Sequence, residues 1–270
     1  MMRSLYSGVT GLRNHQTKMD VIGNNIANVN TIGYKSSRVI FQDIYSQTIK
    51  PASTSGGTSG GTNPQQIGLG VQVATIDVMH TKGTPQYTGY SLDLSIDGDG
   101  YFVIQNNPGD YTYTRAGNLY LDSNNDLVDA NGKYVMGLTG TAPAYTLSTI
   151  HINPSYTDVS IDSKGQISAL NGSTTVSIGT IAVATFPNPN GLEKSGENSY
   201  RTTVNSGTPI LCQPSTNGSG KLNPGTLEMA NVDLTAEFAD MIVTQRGFQA
   251  NSRIITTTDE MLEELVNMVR

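Results

Sequence analysis

The chain has 270 residues, enough for one large domain or two smaller ones, with a formal net charge of -6 and only 14% charged residues. An acidic balance without any basic run argues against nucleic acid or an anionic membrane surface as a partner. No stretch approaches the roughly 20 consecutive apolar residues of a membrane-spanning helix, and the first residues lack the apolar core and cleavage site of a secretory signal.

The first predicted element is an amphipathic helix near the N-terminus. Apolar residues recur there at alternating spacings of three and four and draw a narrow stripe, whose members are Met2, Leu5, Val9, Leu12, Met19 and Ile26. Gly8, Gly11 and Gly23 weaken this helix, because each glycine costs roughly 1 kcal/mol relative to alanine inside a helix. We therefore expect the helix to need a packing partner.

Residues 20–35 read DVIGNNIANVNTIGYK and contain four asparagines, which are Asn24, Asn25, Asn28 and Asn30. Asparagine is a poor helix residue, because its amide competes for nearby backbone groups. It favours caps and turns instead, so the simplest interpretation is a helix terminus, and Gly33 suits a turn there.

The middle of the chain changes to short strands around glycine turns. Residues 49–66 form a Gly/Ser/Thr/Pro tract that predicts a flexible connection. From about residue 70 to residue 200, alternating segments predict a β-rich domain. The clearest segment, SLDLSID, places Leu92, Leu94 and Ile96 on one face, before the apolar YFVI.

The last predicted element is a long helix with a stronger stripe, formed by Leu234, Phe238, Met241, Phe248, Ile255, Leu262, Val266 and Val269. Asp233 is the predicted N-cap, and Glu237 lies favourably against the helix dipole. Thr257 and Glu260 have capping-box spacing within a β-branched run, so a break there is the alternative. We predict one long helix, because the stripe keeps its spacing across this point.

These elements predict an α+β architecture in three parts. Residues 1–69 hold the N-terminal helix and a linker, residues 70–200 the β-rich outer domain, and residues 201–270 a return linker and the C-terminal helix. Coiled-coil pairing of the two end helices is the simplest way to bury both stripes. Short stripes at both ends also suit pairing between copies of the chain.

The histidines and the cysteine do not form a reactive constellation. His15, His80 and His151 lie far apart without the spacing of a zinc site, and His15 falls on the helix away from the apolar stripe. Cys212 is the only cysteine, so it cannot form an internal disulfide, and we expect it to behave as a small apolar residue.

Two Asp-rich stretches, residues 97–100 and 122–132, invite a calcium interpretation. In the second, Leu127 and Lys133 stand where an EF-hand needs glycine and glutamate. Both stretches are better explained as β-turns. No serine elbow or phosphate loop is present either, and we predict a protein that is not an enzyme and has no catalytic residue, metal or cofactor.

Both ends of the chain together resemble the bacterial flagellar rod and hook axial protein family. The N-terminal match is SLYSGVTGLRNHQTKMDVIGNNIANVNTIGYK, of which residues 20–35 are the most specific part. The C-terminal match begins at LEMANVDLTAEF and includes QRGFQANSR. In the middle, SLDLSIDGDGYFVI and YTRAGNLYLD are similar to the β domain of the family.

The resemblance implies a helical homopolymer, a tube in which terminal helices of neighbouring subunits pack around a channel and the β domain forms the outer layer. SRVIFQDIYSQTI and GGTNPQQIGLGV are similar to short hook proteins, which transmit torque from motor to filament while bending, and a distal rod protein is the alternative. The implied partners are further copies, adjacent rod, junction and cap proteins, and the flagellar export apparatus. The implied location is the hook or basal body, reached without a cleaved signal peptide.

The resemblance suggests a second role for the asparagines. We hypothesise that the amides of Asn24, Asn25, Asn28 and Asn30 bond neighbouring subunits at a crowded turn, where Gly33 would also fit. A different class of function, a secreted adhesin with its β domain on a helical stalk, predicts a ligand pocket or an exposed aromatic patch in that domain. The polymer interpretation predicts ends that are disordered in dilute solution.

Overall fold

The computed structural model describes residues 2–54, 60–140, 145–172 and 174–268, and its fold class is α+β, as predicted. The chain divides into two compact units. The first contains Met1–Ala27, Ser37–Val78 and Asp233–Arg270, and the second contains Asn28–Ser36 and Met79–Val232. Residues 70–78 thus group with the helices and residues 201–232 with the β-rich unit, which differs from the predicted boundaries.

Helix α1 spans Met2–Ala27 and helix α2 spans Leu234–Met268. The predicted N-cap of α2 is confirmed, because the Asp233 carboxylate accepts a hydrogen bond of 2.9 Å from the backbone N–H of Thr235. The single long helix is also confirmed. Within the β-branched run, the Thr257 hydroxyl donates to the Arg253 carbonyl at 2.9 Å, so the threonine bonds its own helix and does not end it.

The first unit adds two strand pairs to the helices. Strand β1 (Ser37–Asp43) pairs antiparallel with β4 (Val71–Val78), and β2 (Ser46–Lys50) pairs antiparallel with β3 (Gln65–Gly68). The ends of the tract predicted as a flexible connection therefore form a β-ribbon, because residues such as Thr48, Ile49 and Ile67 favour extended pairing. Residues 55–59 of that tract lie outside the described residues.

The second unit holds the other strands, whose bounds are β5 (Pro85–Tyr87), β6 (Leu94–Asp97), β7 (Tyr101–Asn107), β8 (Asp110–Thr114), β9 (Leu119–Leu121), β10 (Leu127–Asp129), β11 (Tyr134–Thr139), β12 (Thr146–Thr149), β13 (Thr157–Ile161), β14 (Gln166–Asn171), β15 (Thr174–Ile181), β16 (Val183–Thr185), β17 (Glu193–Gly196), β18 (Ser199–Arg201), β19 (Ile210–Cys212), β20 (Lys221–Pro224) and β21 (Thr226–Glu228). Among the described residues, 13 of these strands form one sheet, whose longest path runs β13-β14-β15-β11-β7-β8-β18-β17. Strand β6 pairs with β20, and β5 with β21.

Strand β7 lies between the two apolar clusters of this unit. Phe102 belongs to one cluster and Val103 to the other, because successive side chains point to opposite faces of a strand. The predicted inward face of SLDLSID is confirmed, since Leu92, Leu94 and Ile96 are all buried in the first cluster. Cys212 is buried as well, which agrees with its predicted role as a small apolar residue.

The second Asp-rich stretch, residues 122–132, contains turns, as predicted, whereas in the first stretch Asp99 forms an isolated β-bridge with Ser219. The backbone N–H of Asn125 donates to the Asp122 carbonyl at 2.8 Å, and that of Gly132 donates to the Asp129 carbonyl at 2.9 Å. Asp, Asn and Gly serve the backbone geometry of these turns.

Candidate assembly site

Helices α1 and α2 pack against each other in antiparallel orientation. Early in α1, a Cβ atom at Gly8 would lie 3.4 Å from the Ile255 side chain. Late in α1, the Asn25 amide donates to the Glu237 carboxylate at 2.8 Å. Residues later in α1 therefore contact residues earlier in α2, which means that the two helices run in opposite directions.

Small residues bring the two helices close together. A Cβ atom at Gly11 would lie 2.6 Å from the amide nitrogen of Asn251, and one at Gly247 would lie 2.7 Å from the His15 ring. His15 lies away from the apolar stripe of α1, as its position in the sequence indicated, and it packs against α2 at this glycine. Burial, followed by the nearby charge of Lys18, lowers the pKa of His15, so a neutral imidazole fills this space.

The predicted apolar stripes flank the line of contact between the helices, which is formed by Gly11, His15, Gly247 and Asn251. Their half-buried members are Leu5, Val9, Leu12, Met19 and Ile26 of α1 with Met241, Ile255 and Leu262 of α2, and their exposed members are Leu234, Phe238, Phe248 and Val266. Val269 lies outside the described residues. The helices pair, but coiled-coil packing is not shown, and an assembly role for these residues stays a prediction.

The contact line keeps a seven-residue spacing with small and polar residues. Thr244 and Thr258 are buried although their side chains are polar. Asn251 lies midway between them on the same spacing. The Thr244 hydroxyl donates to the Asp240 carbonyl at 2.6 Å, so it enters the contact without an unpaired group. This seven-residue spacing is the sequence signal that could have predicted the contact between the helices. On α1, the buried Ile22 lies seven residues after His15 and so keeps the same spacing.

Asn25 is buried near the end of α1, with 1% of its surface exposed. Its Nδ2 donates to the Ser37 carbonyl at 2.9 Å as well as to Glu237, and its Oδ1 accepts from the Ser37 N–H at 3.0 Å. One amide thus joins α1, β1 and the first turn of α2. These partners lie in the same chain, and a bond from this amide to a neighbouring subunit stays a prediction.

The other motif asparagines surround the end of α1. Asn24 and Asn30 are exposed, and Asn28 is half-buried with its side-chain oxygen accepting from the Thr31 hydroxyl at 3.1 Å. This arrangement fits the interpretation as a helix terminus. Bonds from Asn24, Asn28 and Asn30 to neighbouring subunits stay a prediction.

Replacing Asn25 with leucine should destabilise the first unit by about 2–4 kcal/mol, because the N–H and C=O of Ser37 lose their side-chain partner. Urea unfolding followed by helical circular dichroism measures the change. Asn24→Leu is the matched control on the exposed side of the same turn, with an expected change within about 0.5 kcal/mol. Equal unfolding midpoints for the two variants would contradict the assigned role of Asn25.

A buried ion cluster lies in the second unit. Lys35 Nζ lies 2.6 Å from Glu228 Oε1, and Arg115 Nη1 lies 3.4 Å from Glu228 Oε2, with none of the three residues more than 2% exposed. Lys35 also donates to the Thr81 carbonyl at 2.8 Å, and Glu228 accepts from the Gly83 N–H at 2.9 Å. Lys35 ends the N-terminal motif and Glu228 is the second residue of the C-terminal motif, so their side chains join the two motifs.

Burial beside this cluster holds its neighbours His80 and Tyr101 in their neutral forms. Burial, followed by the charges of Lys35 and Arg115, lowers the pKa of His80 to about 4. The Tyr101 hydroxyl lies 2.7 Å from His80 Nδ1, and burial raises the pKa of Tyr101 to about 12. Burial also lowers the pKa of Lys35, which the Glu228 carboxylate opposes. At neutral pH His80 is therefore a neutral imidazole and Tyr101 an undissociated phenol, as suits a structural network.

Gly33 approaches the backbone beside this cluster. Its φ is +68°, and a Cβ atom here would lie 2.7 Å from the backbone nitrogen of Ala116 and 2.8 Å from the carbonyl carbon of Arg115. Its N–H donates to the Glu228 carbonyl at 2.8 Å. Contacts within the chain therefore account for glycine at this position of the motif.

The Asn231 side chain connects three segments of the chain that are distant in sequence. Its Oδ1 accepts from the Ser36 N–H at 2.7 Å, and its Nδ2 donates to the Met79 carbonyl at 2.7 Å. The Met79 N–H in turn donates to the Ser36 carbonyl at 2.8 Å. The first residue of NVDLTAEF thus fastens the segments that precede β1, follow β4 and lead into α2.

Two kinds of feature are absent from the described residues, a metal-binding cluster and a membrane-spanning helix. No group of three or more His, Cys, Asp or Glu side chains there could hold a metal ion. Nor does the described part of the chain contain a helix long and apolar enough to cross a membrane.

Three family models match the chain. The flagellar hook protein FlgE/F/G D1 domain matches residues 95–169, the flagellar basal body rod FlgEFG protein C-terminal region matches residues 223–268, and the flagella basal body rod protein model matches residues 5–35. The two terminal matches contain Lys35 and Glu228, the partners in the buried ion pair.

Curated relatives align along the whole chain. It is 53% identical to the flagellar basal-body rod protein FlgG of Bacillus subtilis over 272 positions, with 100% of both chains covered. It is 38% identical to FlgG of Buchnera aphidicola, with 98% of this chain and 99% of the relative covered. It is 32% identical to the flagellar hook protein FlgE of Borreliella burgdorferi over 441 positions, with 99% and 100% covered. These names describe parts of the flagellum and no enzymatic activity.

Proposed function

The chain belongs to the flagellar hook and basal-body rod protein family, and we propose that it is a structural subunit of the basal-body rod. Length as well as identity supports the rod. Rod relatives from Bacillus subtilis and Borreliella burgdorferi align over 272 and 273 positions, which is close to the length of this chain. Hook relatives from Borreliella burgdorferi and Treponema pallidum align over 441 and 465 positions and therefore carry segments that this chain lacks.

The exposed apolar surface of α2 is the observation that best supports a polymer. Although α1 packs on α2, many apolar side chains of α2 remain exposed, including Phe238 at 50%, Ile242 at 59%, Val243 at 64%, Met261 at 49% and Val266 at 66%. Apolar surface of this extent is unfavourable in water and marks a site of protein interaction. Further copies of the chain would cover it, and each copy would bury surface that it cannot bury alone.

In the proposed tube, the terminal helices surround a central channel and the β-rich unit forms the outer layer. The flanking stripes, from Leu5 to Ile26 on α1 and from Leu234 to Val266 on α2, would be buried between copies. The proposed partners are further copies, the adjacent rod, junction and cap proteins, and the export apparatus. The proposed location is the flagellar basal body.

A hook subunit is the second candidate. The 32% identity to the Borreliella burgdorferi hook protein favours it, as does the similarity of residues 37–49 and 60–71 to hook proteins. A hook would bend while it transmits torque, whereas a rod would stay straight. Family membership argues against the secreted adhesin.

Electron microscopy of the assembled full-length protein tests the proposal, because straight tubes would support a rod and curved tubes a hook. Ile242→Glu should abolish the tubes without lowering the unfolding midpoint, since it places a charge on the exposed apolar surface. Gln249→Glu adds the same charge at an exposed polar position of α2 and should leave the tubes intact. A protein that never polymerises, and whose two ends resist limited proteolysis as a monomer, would contradict the proposal.

A further inference from the structure

Four Asn-Gly pairs occur in the sequence, and all of them lie in the second unit: Asn131–Gly132, Asn171–Gly172, Asn190–Gly191 and Asn217–Gly218. Asparagine before glycine is chemically labile, because glycine has no side chain to keep its backbone nitrogen away from the asparagine amide. All four asparagines are exposed, so access of water does not distinguish them. The hydrogen bonds of the glycine N–H groups do distinguish them.

At two of these pairs, the glycine N–H is held in a turn. The Gly132 N–H donates to the Asp129 carbonyl at 2.9 Å, and the Gly191 N–H donates to the Asn188 carbonyl at 3.2 Å. The Asn131 amide is held as well, because its Nδ2 donates to the Asp129 carboxylate at 3.3 Å. We call Asn131–Gly132 and Asn190–Gly191 the bonded pairs.

The other two pairs, Asn171–Gly172 and Asn217–Gly218, have a glycine N–H that donates no hydrogen bond to any residue of the described ranges. Asn171 ends β14, and Gly172 begins the turn to β15 with a φ of +63°. Asn217–Gly218 lies between β19 and β20, where the N–H groups of Thr216 and Ser219 on either side are both bonded to carbonyls. We call these two the open pairs.

We propose that the asparagines of the open pairs are sites of spontaneous deamidation, whereas those of the bonded pairs stay intact in the folded protein. In this reaction the glycine nitrogen loses its proton and attacks the side-chain carbonyl carbon of the asparagine. A C–N bond forms to the glycine, the bond to the side-chain nitrogen breaks, and ammonia leaves with the proton, which gives a cyclic imide. Water then opens the ring to aspartate or isoaspartate, so water is the only co-reactant and nothing is oxidised or reduced.

The hydrogen bond of a bonded pair opposes the first step. The N–H must leave its carbonyl before the nitrogen can lose the proton and turn toward the amide. The net strength of a typical hydrogen bond corresponds to a reaction that is about fivefold slower. We therefore expect the open pairs to deamidate at least about fivefold faster than the bonded pairs.

Deamidation of Asn217 would change a cavity that Asp99 and Arg115 also line. Aspartate at this position would add a second carboxylate to the lining of the cavity. Isoaspartate would add a carbon atom to the backbone of a turn that the Gly220 N–H fastens to the Asp99 carbonyl at 2.8 Å. Because each conversion adds one negative charge, deamidation of both open pairs would lower the net charge of the chain from -6 to -8.

Peptide mass spectrometry of the folded full-length protein, incubated in mildly alkaline buffer, tests the proposal. Asn171 and Asn190 fall in one tryptic peptide, residues 165–194, which compares an open pair with a bonded pair directly. Asn171 should react at least about fivefold faster than Asn190, and Asn217 at least about fivefold faster than Asn131. Incubation in urea is the control, because unfolding removes the turn bonds and the four pairs should then react at similar rates.

A protein that carries Asn171→Gln and Asn217→Gln is the matched variant. Glutamine keeps the amide but places it further along the side chain, which disfavours ring closure, so this variant should not form the acidic species that the parent forms on ion-exchange chromatography. Equal rates at the open and bonded pairs of the folded protein would overturn the proposal, as would open pairs that stay intact while the unfolded chain reacts. Either result leaves the proposed rod function standing, because electron microscopy tests polymerisation separately.

Discussion

Replacing Glu228 with glutamine should destabilise the second unit by about 3–5 kcal/mol, the largest effect expected of any substitution considered for this protein. The carboxylate faces Lys35 at 2.6 Å and Arg115 at 3.4 Å in a site that excludes water. A neutral amide would leave both cations buried without a counter-charge. Urea unfolding followed by near-ultraviolet circular dichroism, which reports on the tyrosines of this unit, measures the loss.

Asp97→Asn is a matched control for this prediction. Asp97 also faces two cations, Lys82 at 2.6 Å and Lys221 at 3.7 Å, but these side chains are exposed to solvent. Water screens such pairs, so the control should change stability by less than about 1 kcal/mol. Adding Lys35→Met to Glu228→Gln should recover part of the loss, because it removes a charge left uncompensated. Equal effects of Glu228→Gln and Asp97→Asn would show that burial does not set the strength of this cluster.

Gly33→Ala should also destabilise the second unit strongly, by about 3 kcal/mol or more. Alanine at a φ of +68° costs about 1–2 kcal/mol in strain alone. The added methyl group would meet the backbone at Ala116, which cannot move aside without disturbing Arg115 and the ion cluster. The midpoint of urea unfolding reports the sum of the two effects.

Gly132→Ala separates strain from collision. Gly132 has a similar φ of +76°, but no atom lies within 4 Å of an added Cβ. The control should therefore show only the strain of about 1–2 kcal/mol. If both alanine variants unfold at the same urea concentration, the close approach at Gly33 has no energetic weight.

Local patterns predicted the elements whose causes are local. Spacing of three and four located both helices, strict alternation located the buried face of Leu92, Leu94 and Ile96, and Asp233 marked the start of α2. The line of contact between the helices escaped prediction, because glycine and threonine occupy it and hydropathy does not single them out. The β2–β3 ribbon escaped because the Gly/Ser/Thr/Pro-rich residues between its two strands resemble a linker.

The buried cluster had no local cause that a sequence pattern could expose. Lys35 and Glu228 are 193 residues apart, and neither belongs to a periodic stripe. A signal does exist in retrospect, because charged residues are scarce in this chain and each motif places one at its boundary. The pairing of the two motifs, however, depends on the folding of everything between them.

Asn231 has a consequence for the order of folding. Asn25 and Glu237 are 212 residues apart, so direct closure of the helix pair would carry the entropy cost of a very long loop. Once the β-rich unit has folded, Asn231 holds Ser36 and Met79 beside the residues that enter α2. Only short segments then remain between the ends of the two helices, so the entropy cost of pairing them is about 2–3 kcal/mol lower. The Asn231 contacts with Ser36 and Met79 should therefore form first, and helices α1 and α2 should pair afterwards.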